Sequence, residues 1–135
     1  MKIKTYKGKL VQQPHFFILN KGMNTGSPNF KPYANCFVLL AEIDKEKNDY
    51  YWLCFALWQT GKFSSRLVGS AVPFIHISDL KQVISDAIIK ANKKSDQYQK
   101  ALSLLIDMDM KGEKLAEQLK LIGELKKTVL NKVLE

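Results

Sequence analysis

Polar and apolar residues alternate over residues 2–6 (Lys-Ile-Lys-Thr-Tyr), and residues 14–20 read Pro-His-Phe-Phe-Ile-Leu-Asn. Alternation with a period of two sets one row of side chains on each face of a pleated strand, and an aromatic and branched run suits a buried one, so both segments predict strands. Residues 36–43 (Cys-Phe-Val-Leu-Leu-Ala-Glu-Ile) form a short apolar run with the composition of a buried strand. Between these runs, residues 21–32 are dense in Gly, Asn, Ser and Pro, which predicts a loop.

The pattern changes after Asp44-Lys-Glu-Lys-Asn, a charged turn in which Asn48 or Asp49 is placed to cap a helix. Residues 50–59 are apolar all round, as in a short helix buried on most sides. Gly61 follows where a helix C-terminus favours glycine, and residues 62–67 read as a connecting turn. Residues 72–77 (Val-Pro-Phe-Ile-His-Ile) predict a short strand with Pro73 at its start, and Ser78 is placed to cap the next element. Residues 79–91 suit a helix, although the pairs Val83-Ile84 and Ile88-Ile89 also suit a strand.

The last zone, from Ser95 to Leu134, reads as one long helix capped near Ser95 or Asp96. Two interleaved seven-residue series run along it: Ala101, Met108, Leu115, Ile122, Val129 and Leu105, Gly112, Leu119, Lys126, Val133. Eight of these ten positions are apolar, the repeat expected of a coiled-coil seam. At 1.5 Å per residue such a helix extends roughly 60 Å, too far for the preceding domain to cover. The expected interface is therefore Leu105, Met108, Leu115, Leu119, Ile122, Val129 and Val133, facing a second copy or a partner's helix. The competing expectation is a break at Gly112 with the helix folding back. The polar stretch 90–95 is the expected linker, giving an α+β domain over 1–94 and a helix over 95–135.

Charge distinguishes the zones further. The 135 residues carry 21 basic and 13 acidic side chains, a net charge of +8. Residues 1–41 hold six lysines and no acid, residues 42–70 are balanced, and residues 71–135 carry eleven lysines against nine acids. A one-sided basic segment interleaved with Tyr6, His15, Phe16, Phe17, Phe30 and Tyr33 is the expected footprint of a phosphate-binding surface. The plainer reading is that lysine is this chain's solubilising residue, since twenty lysines stand against the single Arg66. Bidentate recognition of bases and phosphates favours arginine.

Composition excludes several classes. Aromatic and branched residues run through the first two thirds, which rules out intrinsic disorder. No stretch reaches the roughly 20 apolar residues of a membrane span. Met1-Lys-Ile-Lys-Thr-Tyr-Lys lacks the apolar core of an export signal, so a cytoplasmic location is expected. Cys36 and Cys54 lie inside apolar runs and read as small buried hydrophobes in a reducing compartment.

No motif points to chemistry. No Cys-x-x-Cys or His-x-x-x-His spacing supports a metal site, and no metal or cofactor is expected. The segment Gly22-Met-Asn-Thr-Gly26 is half a phosphate loop without its closing Gly-Lys-Ser/Thr, although its amides suit a nucleic-acid phosphate. Trp52 and Trp58 are six apart and do not share a helix face, Asp107 and Asp109 point to different faces, and His76 stands alone. No enzyme activity is therefore expected.

The order of three segments carries a resemblance: Tyr51-Trp-Leu-Cys-Phe-Ala-Leu-Trp-Gln-Thr-Gly-Lys-Phe, then Val68-Gly-Ser-Ala-Val-Pro-Phe-Ile-His-Ile-Ser-Asp-Leu-Lys, then Leu125-Lys-Lys-Thr-Val-Leu-Asn-Lys at the end of the long helix. The series resembles the second half of a target-recognition domain, with its spacer helix, of a type I restriction–modification specificity subunit. Only Asp96-Gln97 echoes the Glu-Gln pair that opens the family's spacer helix, and a Pro-rich strand expected near residues 83–88 is missing. Separately, Lys21-Gly-Met-Asn-Thr-Gly, Asn35-Cys-Phe, Tyr51-Trp-Leu-Cys-Phe and Val72-Pro-Phe-Ile resemble a family of small uncharacterised bacterial proteins associated with mobile elements.

The resemblance implies a non-enzymatic protein that binds double-stranded DNA and dimerises or docks through its C-terminal helix. The expected DNA contacts are Lys2, Lys4, Lys7, Lys9, Lys21, Asn24, Lys31, Lys62 and Arg66. The alternative is an interaction module of a mobile element that occupies a partner's coiled coil without binding DNA.

Overall fold

A computed structural model describes all 135 residues. Four short strands come first: β1 (Lys2–Thr5), β2 (His15–Leu19), β3 (Pro28–Asn29) and β4 (Cys36–Leu40). They form one antiparallel sheet in the order β1-β4-β2-β3. Three helices follow, α1 (Asp44–Gln59), α2 (Ile77–Lys93) and α3 (Ser95–Leu134), with a single 3₁₀ turn at Ser64–Arg66. The fold class is α+β, and the chain divides into two units, Met1–Ser95 and Asp96–Glu135.

Within the first unit the two faces of the sheet have different fates. Ile3, Phe16, Ile18, Phe37 and Leu39 share one face, and Cys54 of α1 with Leu80 and Ile84 of α2 complete the core over it. The opposite face carries Phe17, Cys36, Val38 and Leu40. No helix covers this second face; Tyr6, Val11 and Tyr33, all from loops, pack against it. Strand β4 is buried at all five positions because it lies between β1 and β2 and both of its faces are covered. That explains why its sequence is a continuous apolar run rather than an alternating one.

Helix α1 starts earlier than its apolar run. Asp44 already lies in its first turn, and neither Asn48 nor Asp49 caps it. The Glu46 carboxylate instead accepts the Glu42 amide at 3.2 Å, and Asp44 and Glu46 place negative charge where the helix dipole favours it. The end of α1 is as expected. Gly61, with φ +69°, donates its amide to the Trp58 carbonyl at 3.1 Å while Lys62 donates to Leu57 at 2.9 Å, the paired bonds of a Schellman cap.

Residues 72–77 are not a strand. Phe74 exchanges two 2.9 Å backbone hydrogen bonds with Val68 across a turn at Gly69 and forms a second isolated bridge to Lys21. Extension stops there because α2 begins at Ile77. Ser78 is therefore inside the first turn of α2, and the capping position falls to His76, whose side chain makes no cap bond. The stretch 79–91 is helix and not strand, with Ile84 buried, Val83 and Ile88 half-buried and Ile89 exposed. The expected linker is mostly helix as well: α2 runs to Lys93, and Lys94 alone interrupts it before α3.

The second unit is α3, one unbroken helix of 40 residues. Gly112 neither breaks it nor starts a return. From Met108 onward its large apolar residues are about half exposed or more, among them Leu115 at 65%, Leu119 at 72%, Ile122 at 50% and Val133 at 76%. Leu105, expected in the same seam, is half-buried.

Candidate nucleic-acid interface

Lys2 and Lys4 alternate with buried Ile3 along β1, so they stand on the face of the sheet that no helix covers. In register they lie opposite Leu40 and Val38 of β4. Beyond Thr5 the same alternation brings Tyr6 onto this face, where its ring meets Phe17 edge-on at 4.8 Å. His15, across the sheet on β2, meets the other side of the cluster, its ring 5.2 Å from Phe17. Its Nδ1 donates to the Gln13 carbonyl at 2.8 Å, which fixes the ring plane.

After Tyr6 and Lys7 the chain turns at Gly8 (φ +81°) and brings Lys9, Leu10 and Val11 beside β1. An open groove of about 540 Å³ results, lined by Lys4, Thr5, Tyr6, Lys7, Lys9, Leu10, Val11 and Val38. Three lysines border it and no carboxylate lines it. None of the chain's ion pairs involves Lys4, Lys7 or Lys9, so these charges are available to an anion.

The other expected contacts lie elsewhere. Lys62 and Arg66 line a separate depression of about 280 Å³ with Leu57, Val83, Asp86 and Lys90, in the helix layer on the other side of the sheet. Arg66 is paired with Asp79 at 3.2 Å and so is not a free guanidinium. Lys21 lies beside Phe74, and Lys31 follows β3 with its amide donating to Asn29 Oδ1. Asn24 is exposed in the loop after β2.

Most of that loop's amides are already engaged within the protein. Gly22 donates to Pro73 at 2.8 Å, Thr25 to Gly22 at 3.3 Å, Gly26 to Leu19 at 2.8 Å and Ser27 to Asn24 at 3.0 Å. The Thr25 hydroxyl also turns inward, onto the Gly22 carbonyl at 2.6 Å. Gly22 and Gly26 both have positive φ, and Gly26 packs on Phe63, so these glycines serve the turn and the packing.

Nine expected contacts thus divide into a cluster on β1 and its following loop, a second pair over α1 and α2, and three scattered positions. Sequence reasoning missed the apolar part of the groove, Leu10, Val11 and Val38. Leu10 carries a faint signal, being a lone leucine between Lys9 and Val11-Gln-Gln in a segment with no period.

Neither cysteine forms a nucleophilic pair. The Cys36 thiol donates to the Tyr33 carbonyl at 3.3 Å, and burial pushes its pKa up. Cys54 is wholly buried in the core, and desolvation raises its pKa strongly. His15 and Cys36 lie at opposite ends of the β2–β4 ladder, paired with Leu40 and Leu19 respectively. No three His, Cys, Asp or Glu side chains gather where they could hold a metal ion, and no helix is long and apolar enough to cross a membrane.

Residues 3–132 match the model of a family of unknown function, DUF6943. The chain belongs to this family. No curated protein and no solved structure matches it. The DUF6943 match begins in β1 and continues through most of α3.

Proposed function

We propose that this DUF6943 member is a non-enzymatic, cytoplasmic DNA-binding protein that associates with a second copy or a partner helix through α3. The observation that carries this reading is the groove beside β1, where Lys4, Lys7 and Lys9 converge without any acidic partner. Unpaired lysines around one recess displace the counterions of a polyanion when it binds, and this supplies affinity independent of sequence. Lys2 adds a fourth charge on the same face of β1. The resemblance of the α1-to-α3 segments to a restriction specificity subunit supports DNA as the polyanion, and the resemblance to mobile-element proteins agrees with such a setting.

An electrophoretic mobility shift at two salt concentrations tests this. Binding at about 50 mM salt is expected, with log affinity falling against log salt by about 0.9 per phosphate contacted. Absence of any complex at the lower salt overturns it.

A second reading, a coiled-coil module that binds no DNA, is favoured by one observation. Leu115, Leu119, Ile122, Val129 and Val133 are at least half exposed along one seam of α3. It predicts a partner helix without any mobility shift.

A further inference from the structure

We infer that the groove beside β1 takes an unpaired stretch of nucleic acid, holding a base against Tyr6 and Leu10 while Lys4, Lys7 and Lys9 hold the flanking phosphates. The inference rests on the nucleic-acid reading above and specifies which form of the polymer enters the site.

The shape of the site favours a single strand. Duplex readout requires a helix or ribbon that projects into a major groove about 12 Å wide. Here the lysines border a concavity between an edge strand and its following loop. Its volume of about 540 Å³ falls within the range of sites that enclose small ligands, the scale of a nucleotide.

The lining matches the two halves of a nucleotide. Tyr6, Leu10 and Val11 present apolar surface, and Leu10 is 90% exposed, which leaves it free to cover a base. The Tyr6 ring is held in place by its edge-on contact with Phe17 at 4.8 Å, so it offers a fixed platform without an ordering cost. A base in a duplex is already stacked on its neighbours and does not present its face to such a platform.

The cations are of the kind that read charge and not sequence. Lysine is a point charge, whereas base-edge recognition relies on the arginine fork. The one arginine, Arg66, is paired with Asp79 in the helix layer and does not line the groove. The site is therefore expected to be tolerant of base identity.

Fluorescence anisotropy on the full chain tests this with three labelled probes of about 15 residues each: oligothymidine, oligouridine and a thymidine–adenosine duplex. A single strand is expected to bind at least about tenfold tighter than the duplex at equal salt. Equal binding of the two single strands assigns the site to either polymer, and a preference names the one it uses. Leu10→Ser, an uncharged change at a position too exposed to disturb folding, is expected to weaken the single strand about tenfold and leave the duplex unchanged. Tyr6→Ala acts in the same direction, with the melting temperature checked because Tyr6 also packs on Phe17. Tighter binding of the duplex, or a Leu10→Ser chain that holds the single strand normally, overturns the inference and leaves DNA binding standing. Failure of all three probes overturns both.

Discussion

The ring of Phe63 occupies the space that a Cβ on Gly26 would need. Gly26 also has φ +96°, a conformation that side-chain-bearing residues rarely adopt. The loop after β2 is thereby clamped onto the segment after α1, and Phe63 is 2% exposed as a result. Gly26→Ala combines backbone strain with overpacking of the core and should cost about 2–4 kcal/mol in urea denaturation. Gly8→Ala, where φ is also positive but nothing lies within 4 Å, should cost only the strain, about 1–2 kcal/mol.

Cys54 makes stability fall in alkali. Its folded pKa is raised by burial, so the unfolded chain loses the thiol proton first, near pH 8.5. Above that pH the unfolded state binds fewer protons than the folded one, and stability declines by about 1.4 kcal/mol per pH unit for this group. Below it the contribution is fully present and flat. Cys36 and Tyr50 are shifted in the same direction and steepen the slope at higher pH. Chemical denaturation of the native chain and Cys54→Ala across pH 7–10 should show a shallower alkaline decline in the variant.

Elements with strong local signals were legible from the residues alone: the alternation of β1, the apolar run of β4, the Gly61 stop of α1 and the uninterrupted length of α3. Those decided by tertiary contacts were not. Phe74 looks like a strand residue because it lies in the apolar run Val72-Pro-Phe-Ile, yet its only bridge partners are Val68 and Lys21, and α2 begins at Ile77. Strand β3 is two residues long and exists through its pairing with Phe17 and Ile18, which no property of Pro28-Asn29 announces. The candidate site was half legible for the same reason. Counting lysines finds Lys2, Lys4, Lys7 and Lys9 but also Lys62 and Arg66, and only the sheet separates the two sets.

That separation can be measured. Replacing Lys4, Lys7 and Lys9 together by alanine should free up to three phosphates and flatten the salt dependence of DNA binding by about 0.9 for each of them. Lys62→Ala with Arg66→Ala should leave the slope unchanged, since those residues lie over α1 and α2. Both variants alter exposed side chains, so folding is expected to survive, although Arg66→Ala also breaks the Asp79 pair, a surface bridge worth at most about 1 kcal/mol. Equal effects from the two variants would mean that diffuse charge and not the groove carries the affinity.

The remaining prediction concerns α3, whose seam is apolar at Leu115, Leu119, Ile122, Val129 and Val133 but carries Gly112 and Lys126 in line. Each of these apolar side chains is half exposed or more, so covering one contributes about 1–2 kcal/mol when a partner removes it from water. Five or more from each of two helices suffice to offset the loss of translational freedom on association. Light scattering of the native chain should therefore report twice the single-chain mass at micromolar concentration. Leu119→Asp with Ile122→Asp places charge at the centre of the seam and should return the mass to one chain. Gly112→Ala supplies a control in the opposite direction. Nothing lies within 4 Å of the added methyl, and alanine is favoured over glycine inside a helix by about 1 kcal/mol, so this variant should raise helix content and keep the higher mass. A native chain that already scatters as a monomer, with the Asp variants unchanged, would mean that the seam meets a different protein or none.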